Sequence, residues 1–238
     1  SKNSDFKTAL NNNDQAFFLE MVRQQDSAFV RVAGFVGISK LQPKRSIEIA
    51  YSLILDATNL SASIYYPAIE TIQNAKYDAV FVEEFSRAAC REGKNRVAFD
   101  LILRATPIQA LDHWFHSESK LAVPLSSEAK ILVVLVEFYE ESKKPLSTLM
   151  RSKLEEFKNS KSVLANYAFL YALEEDDQTY QTLLANTLQN KNISREEFLV
   201  LLAKRKKFIS EHPALKKLTL PEDRQKTFLQ VISKSEKK

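Results

Sequence analysis

Three glycines and seven prolines in 238 residues leave little material for the turns of a sheet-rich fold or for phosphate-cradling loops. Gly34, Gly37 and Gly93 match neither a dinucleotide-binding fingerprint nor a phosphate-binding loop with its Lys-Ser/Thr ending, which disfavours nucleotide chemistry through the common motifs. Gly34 and Gly37 fall inside an apolar helical stretch, where close helix packing or a kink is their expected use. The single cysteine, Cys90, excludes an intramolecular disulfide framework and any cysteine-rich zinc or iron–sulfur site. That usage fits a reducing compartment. Arg87 and Arg91 are cations of the kind that lower a thiol pKa, yet Cys90 neighbours the apolar residues Phe85, Ala88 and Ala89 and reads as a buried structural cysteine.

Long hydrophobic runs are also missing. No uncharged run exceeds 13 residues; Ala57 to Ile69, which reaches that length, contains a proline, whereas a spanning helix needs about 20 apolar residues. The opening Ser1-Lys2-Asn3-Ser4-Asp5 lacks the basic-then-apolar order of a signal peptide. No transmembrane segment and a cytoplasmic location are the expectations.

Histidine is scarce too, with three in the chain. His113 and His116, within Asp112-His113-Trp114-Phe115-His116-Ser117-Glu118, share a helix face at i, i+3 and could offer two metal positions, with Asp112 or Glu118 adding a carboxylate. Two imidazoles are an incomplete ligand set, and His212 is distant in sequence. The plainer reading is a partly buried polar edge beside Trp114 and Phe115. The acidic run Glu174-Glu175-Asp176-Asp177 lacks the glycine and alternating oxygen ligands of a calcium loop and suits the start of a helix near Gln178. Glu83-Glu84 and Glu155-Glu156 are adjacent pairs that point differently, as on a solvated helix face. Neither a metal nor a cofactor is expected.

What is present is helical. Apolar residues make up 45% and charged residues 27%, ordinary for a folded chain, and one this long can hide about 70–75% of its unfolded surface. Ile47, Ala50, Tyr51, Ile54 and Leu55 share one face at i, i+3, i+4, i+7 and i+8. Tyr77, Val80, Phe81, Phe85, Ala88 and Ala89 form a second stripe, and Phe198, Leu201, Leu202, Phe208 and Ile209 a third. Helix starts carry chemical marks. Thr106-Pro107-Ile108-Gln109 and Ser194-Arg195-Glu196-Glu197 both have the form of a capping box, and Ile193 can staple onto Phe198 across the second. Pro43, Pro124, Pro145 and Pro221 precede apolar-periodic runs, and Pro213 ends the helix begun at Ser194.

These signals predict helices near 4–11, 14–25, 27–40, 43–58, 61–74, 76–92, 95–104, 107–120, 126–143, 146–159, 162–175, 178–190, 195–211 and 221–234. The fold class is all-α. Short connections suggest antiparallel helical hairpins, either stacked as a HEAT- or armadillo-like α-solenoid or gathered as an irregular helical globule. No internal period is evident. Ile131 to Val136 is apolar all round, so its helix should be central and covered on both sides. A single domain over 1–238 is expected, with a candidate subdivision at 142–146.

Charge is unevenly placed. The formal net charge is +4, but Lys204 to Lys238 carries eleven basic and four acidic residues, leaving the first 203 slightly acidic. Such an end suits contact with nucleic acid, acidic proteins or anionic lipid, and equally suits a solvated surface. Two groups stand out as partner-binding candidates. One is Tyr65 and Tyr66, amphipathic rings ahead of Pro67. The other is Lys204, Lys206 and Lys207 with Lys216 and Lys217, where Arg205 falls on the apolar stripe and should pack its stem while its head snorkels. Without a catalytic constellation, the expected function is a noncatalytic protein-interaction scaffold or adaptor subunit with protein partners. A nucleic-acid-binding helical-repeat protein using the basic C-terminal region is the alternative, and an enzyme with dispersed residues a third.

Overall fold

Close approach of two helices shows first how this sequence packs. In the computed structural model, which describes residues 2–24, 27–56, 62–158, 168 and 177–233, α2 (Gln15–Arg23) lies against α3 (Ala28–Leu41). A Cβ added at Gly34 would sit 2.6 Å from the Met21 Cβ and 2.7 Å from the Phe18 carbonyl oxygen and the Val22 nitrogen. One added at Gly37 would meet the Phe18 ring at 2.2 Å, and that ring is fully buried. The two glycines therefore serve helix packing.

The described residues hold fourteen helices and no strand, so the protein is all-α. Besides α2 and α3 these are α1 (Lys2–Asn11), α4 (Pro43–Leu55), α5 (Ala62–Gln73), α6 (Ala79–Arg91), α7 (Arg96–Ala105), α8 (Ile108–His116), α9 (Leu125–Glu141), α10 (Thr148–Lys158), α11 (Asp177–Gln189), α12 (Arg195–Glu211), α13 (Pro213–Lys216) and α14 (Glu222–Ser233). The helix predicted over 162–175 lies outside the described residues, apart from the buried Ala168. The short α13 follows Pro213, which ends α12 as expected and then opens a turn of its own. Among the described residues, no helix is long and apolar enough to cross a membrane.

By its contacts the chain falls into two compact units, residues 1–131 and 132–238. In the first, α4 packs against α3, α5, α6 and α7. The stripe Ile47, Ala50, Tyr51, Ile54 and Leu55 is buried, as the periodicity predicts. Beside it runs a chain of rings: Phe85 stands 5.2 Å from Trp114, 6.0 Å from Phe81 and 6.1 Å from Phe99. The buried Trp114 indole donates to Ser86 Oγ at 2.9 Å, and Ser86 donates in turn to the Val82 carbonyl. Trp114 and Phe115 are thus core residues, and the part-exposed His116 and Asp112 form the polar edge beside them. In the second unit, α12 packs on α13 and α14. There the buried Arg224 donates to the carbonyls of Asn190 and Ile193 and lies over the Phe198 ring.

The helix ends test the chemical signals one by one. Ser194 makes its capping box in full: its Oγ accepts from the Glu197 N–H at 3.1 Å, and Glu197 Oε2 accepts from the Ser194 N–H at 2.7 Å. The Thr106 box does not form. Thr106 belongs to the end of α7, where its hydroxyl donates back to the Ile102 carbonyl at 2.7 Å, and α8 starts behind Pro107 without a side-chain cap. Tyr77 precedes α6, whose N-cap is Asp78, so it drops out of the apolar stripe and is 39% exposed. Val133 and Val134 are only half-buried, while Ile131, Leu132, Leu135 and Val136 are buried, so α9 is covered on one broad face and not all round.

Candidate functional site

Gln42 is both the C-cap of α3 and the N-cap of α4, a junction one residue long. Its N–H closes α3 by donating to the Ile38 carbonyl at 2.7 Å, and its side chain makes no cap bond to α4. Pro43 occupies the first helical position, where its lack of an N–H costs nothing. Ser46, buried beneath this turn, donates its hydroxyl to the Pro43 carbonyl at 2.5 Å and does not cap the helix. Among the described residues, the N–H groups of Lys44 and Arg45 therefore find no acceptor.

Facing this turn are the end of α5 and the connector to α6, and together they enclose a cleft of about 910 Å³ within the first unit. That is at the upper end of the range for ligand pockets, which run from about 300 to 1,000 Å³. Pro43, Ile47 and Ala75 supply apolar wall; Lys44, Arg45 and Lys76 supply cations; Glu70 and Asp78 supply carboxylates. Part of the polar lining is already engaged. The Glu70 carbonyl accepts from the Asn74 backbone at 3.0 Å and from its side-chain amide at 2.9 Å. Thr71 donates to the Pro67 carbonyl, and Asp78 Oδ1 caps α6 through the Phe81 N–H at 3.1 Å. Lys44, Arg45 and Lys76 are exposed and make no ion pair with any described residue.

A smaller cleft, about 380 Å³, opens beside α6 and is lined by Glu48, Tyr51, Glu84, Arg87, Cys90 and Arg91 among others. Cys90 is exposed here, not buried as its neighbours suggested. The apolar stripe of α6 runs through Phe81, Phe85, Ala88 and Ala89, and Cys90 falls with Glu83 and Arg87 on the opposite, open face. Its Sγ lies 3.4 Å from the Ala122 carbonyl. Both flanking arginines spend their charge on carboxylates: Arg87 on Glu83 and, at 3.9 Å, on Glu84; Arg91 on Asp56. Glu84 is not the solvated residue its position suggested. Burial raises its pKa, Arg87 opposes this, and the charges of Glu48 and Glu83 add to the rise. Burial likewise pushes the Tyr51 phenol well up.

The predicted partner-binding residues are distributed over both units. Tyr66 is 70% exposed on α5, whereas the Tyr65 side chain lies outside the described residues. On α12, Lys204 forms an ion pair with Glu137 of α9, and burial lowers its pKa, with the neighbouring Arg205 adding. The Arg205 head does not snorkel. It is buried over the Tyr180 ring with Nη1 3.6 Å from Glu140. Lys207 stands out in solvent, 4.0 Å from Glu211; Lys206 and Lys216 are half-exposed and Lys217 exposed. Two acids of α9 thus take up two cations of the basic run, a pairing invisible in the linear charge count.

The two close histidines turn to different neighbours. His116 Nδ1 contacts the Asp112 carbonyl and, at 3.2 Å, its carboxylate, while the His113 ring lies 6.2 Å from Tyr77. The described residues contain no group of three or more metal-ligating side chains. The acidic run 174–177 lies outside the residues whose side chains are described. The large cleft was missed in the sequence, although it left a signal. Gln42-Pro43-Lys44-Arg45 has no preferred N-cap residue and puts two cations where a helix start favours acids. No protein-family model, curated protein or solved structure gives a significant match to this chain.

Proposed function

We propose that the protein is a noncatalytic interaction subunit that docks a protein partner through the cleft at the start of α4. The observation that supports this reading is the cleft itself: about 910 Å³, open to solvent, part apolar, and lined by exposed cations that make no ion pair with any described residue. An open, mixed surface of this kind suits a segment of another chain, since interfaces combine an apolar centre with a polar rim. The cysteine and the close histidine pair do not lie there. Cys90 lines a different cleft, and His113 and His116 sit on α8.

Lys44 and Lys76 are built-in handles for a test. Amine-reactive crosslinking of the intact protein with its co-purified partner is expected to place a stoichiometric protein on these two lysines. Crosslinks confined to Lys206, Lys207, Lys216 and Lys217, with nucleic acid co-purifying, would favour the nucleic-acid reading instead. That reading keeps the exposed Lys207 and Lys217 but shares Lys204 and Arg205 with Glu137 and Glu140.

A further inference from the structure

We infer that the occupant of this cleft is an acidic segment of the protein partner, a conclusion that rests on the docking reading above and adds its chemistry. The first turn of α4 breaks a local rule. Positive charge near a helix N-terminus opposes the helix dipole, yet Lys44 and Arg45 occupy the second and third positions with no acid in that turn. Their own N–H groups point out of the helix end without a cap, since Gln42 supplies none and Ser46 is turned to Pro43. Lys76 adds a third cation from the connector on the other wall. Breaches of local preference that nothing nearby offsets are expected where a site serves function.

A hydrogen-bond inventory of the cleft points the same way. Two acceptors on the far wall are already used: the Glu70 carbonyl by Asn74, and one Asp78 oxygen by the Phe81 N–H. The charged groups left without an ion pair to any described residue are mainly cations, Lys44, Arg45 and Lys76, with the two backbone N–H groups of the helix start beside them. Glu70 alone keeps a carboxylate that no described residue engages, and it stands exposed. A ligand rich in acceptors and negative charge is the complement of that set. The cations come from two walls with the apolar Ile47 and Ala75 among the lining, which suits carboxylates spaced along a chain that also carries an apolar side chain.

The test is selection of displayed random short peptides against the full chain, followed by fluorescence anisotropy with the selected peptides. The peptides are expected to be enriched in Asp and Glu and to bind more weakly as salt rises. Lys44→Glu and Lys76→Glu should each weaken binding roughly tenfold, the neutral Lys44→Gln and Lys76→Gln by less, and Glu70→Gln should tighten it. Ala75→Trp should block it. All five charge changes are at exposed positions, and an unchanged far-UV circular dichroism spectrum and melting midpoint confirm that they leave the fold intact. Peptides blocked by Ala75→Trp but without acidic enrichment or charge sensitivity would overturn the assigned chemistry while leaving the docking reading standing. Peptides indifferent to Ala75→Trp would overturn docking at this cleft as well. Displacement of the acidic peptides by millimolar inorganic phosphate, with no effect from chloride at equal ionic strength, would overturn the peptide in favour of a phosphate ligand.

Discussion

Gly34 and Gly93 show how differently one residue type can matter. At Gly34 a methyl group meets backbone atoms of α2, which cannot move without shifting the helix. Gly34→Ala is expected to cost about 1–3 kcal/mol, the usual range for overpacking. At Gly93 no atom lies within 4 Å of an added Cβ, and φ is not positive. Gly93→Ala should instead stabilise by about 0.4–1 kcal/mol, because it reduces the freedom of the unfolded chain. Urea midpoints of the two variants measure the contrast. A Gly34→Ala variant as stable as wild type would count against the close approach of α2 and α3.

A second residue-scale case is the charged cluster of Glu92 and Lys130. Lys130 Nζ donates to Glu92 at 2.5 Å and to Asp100 at 2.9 Å, and Ser127 donates to Glu92 at 3.0 Å. Burial alone would raise the Glu92 pKa, but the bonds from Lys130 and Ser127 outweigh it and hold the carboxyl below its ordinary value. Its folded pKa is therefore below its unfolded one. The stability this supplies is present above the ordinary carboxylate range and is lost as pH falls through the depressed pKa. Lys130→Ala should cost about 3 kcal/mol at neutral pH, because it strands a buried carboxylate. The gap from wild type should narrow as pH falls through the carboxylate range, because the stranded Glu92, left to the raising effect of burial, takes up its proton before the wild-type group does. Urea titrations at neutral and at low pH test this, and a gap independent of pH would assign the loss to packing alone.

At the scale of the element, ends were more informative than middles. Ser194→Ala should remove about 1 kcal/mol by opening the capping box of α12. At the end of α9, Lys143 adopts φ 53° while Lys144 donates to the Tyr139 carbonyl and Lys143 to that of Glu140, a left-handed helix stop normally filled by glycine. Lys143→Gly should therefore stabilise by up to about 1 kcal/mol. Thermal midpoints read both changes, and a melting point lowered by Lys143→Gly would count against the left-handed stop. Helix positions were legible because an apolar stripe and a cap are local properties of the chain. Thr106 shows the limit: the same hydroxyl can cap the helix ahead or bond back to the turn behind, and Ile102 won. Cys90 was legible in the stripe, since it shares the face of Glu83 and Arg87 opposite Phe81 and Phe85. Glu84 and Arg205 were misplaced for a further reason: which other face of a helix is covered depends on distant partners such as Glu48 or Tyr180, and periodicity carries no record of them. The cleft at Gln42 to Asp78 was hidden in the same way, since its two walls come from separate elements.

At the scale of the molecule, the division into two units falls between Ile131 and Leu132, inside the helix Leu125–Glu141. Both residues are fully buried. The sequence suggested a subdivision at 142–146, where α9 ends, whereas the contact boundary lies about three turns earlier. A boundary within a continuous helix differs physically from one in a linker. Helix formation is cooperative, so melting the part of α9 that belongs to one unit removes hydrogen bonds that the other part's first turn depends on. The two units should accordingly unfold together. The single tryptophan, Trp114, is buried among Phe85 and Phe115 in the first unit, so its fluorescence reports that unit alone. Far-UV circular dichroism reports the helices of both. The two signals are expected to give one coincident thermal transition, the mark of two-state unfolding. Fluorescence that changes well apart from the ellipticity would show instead that α9 breaks first and that residues 1–131 melt as a body of their own.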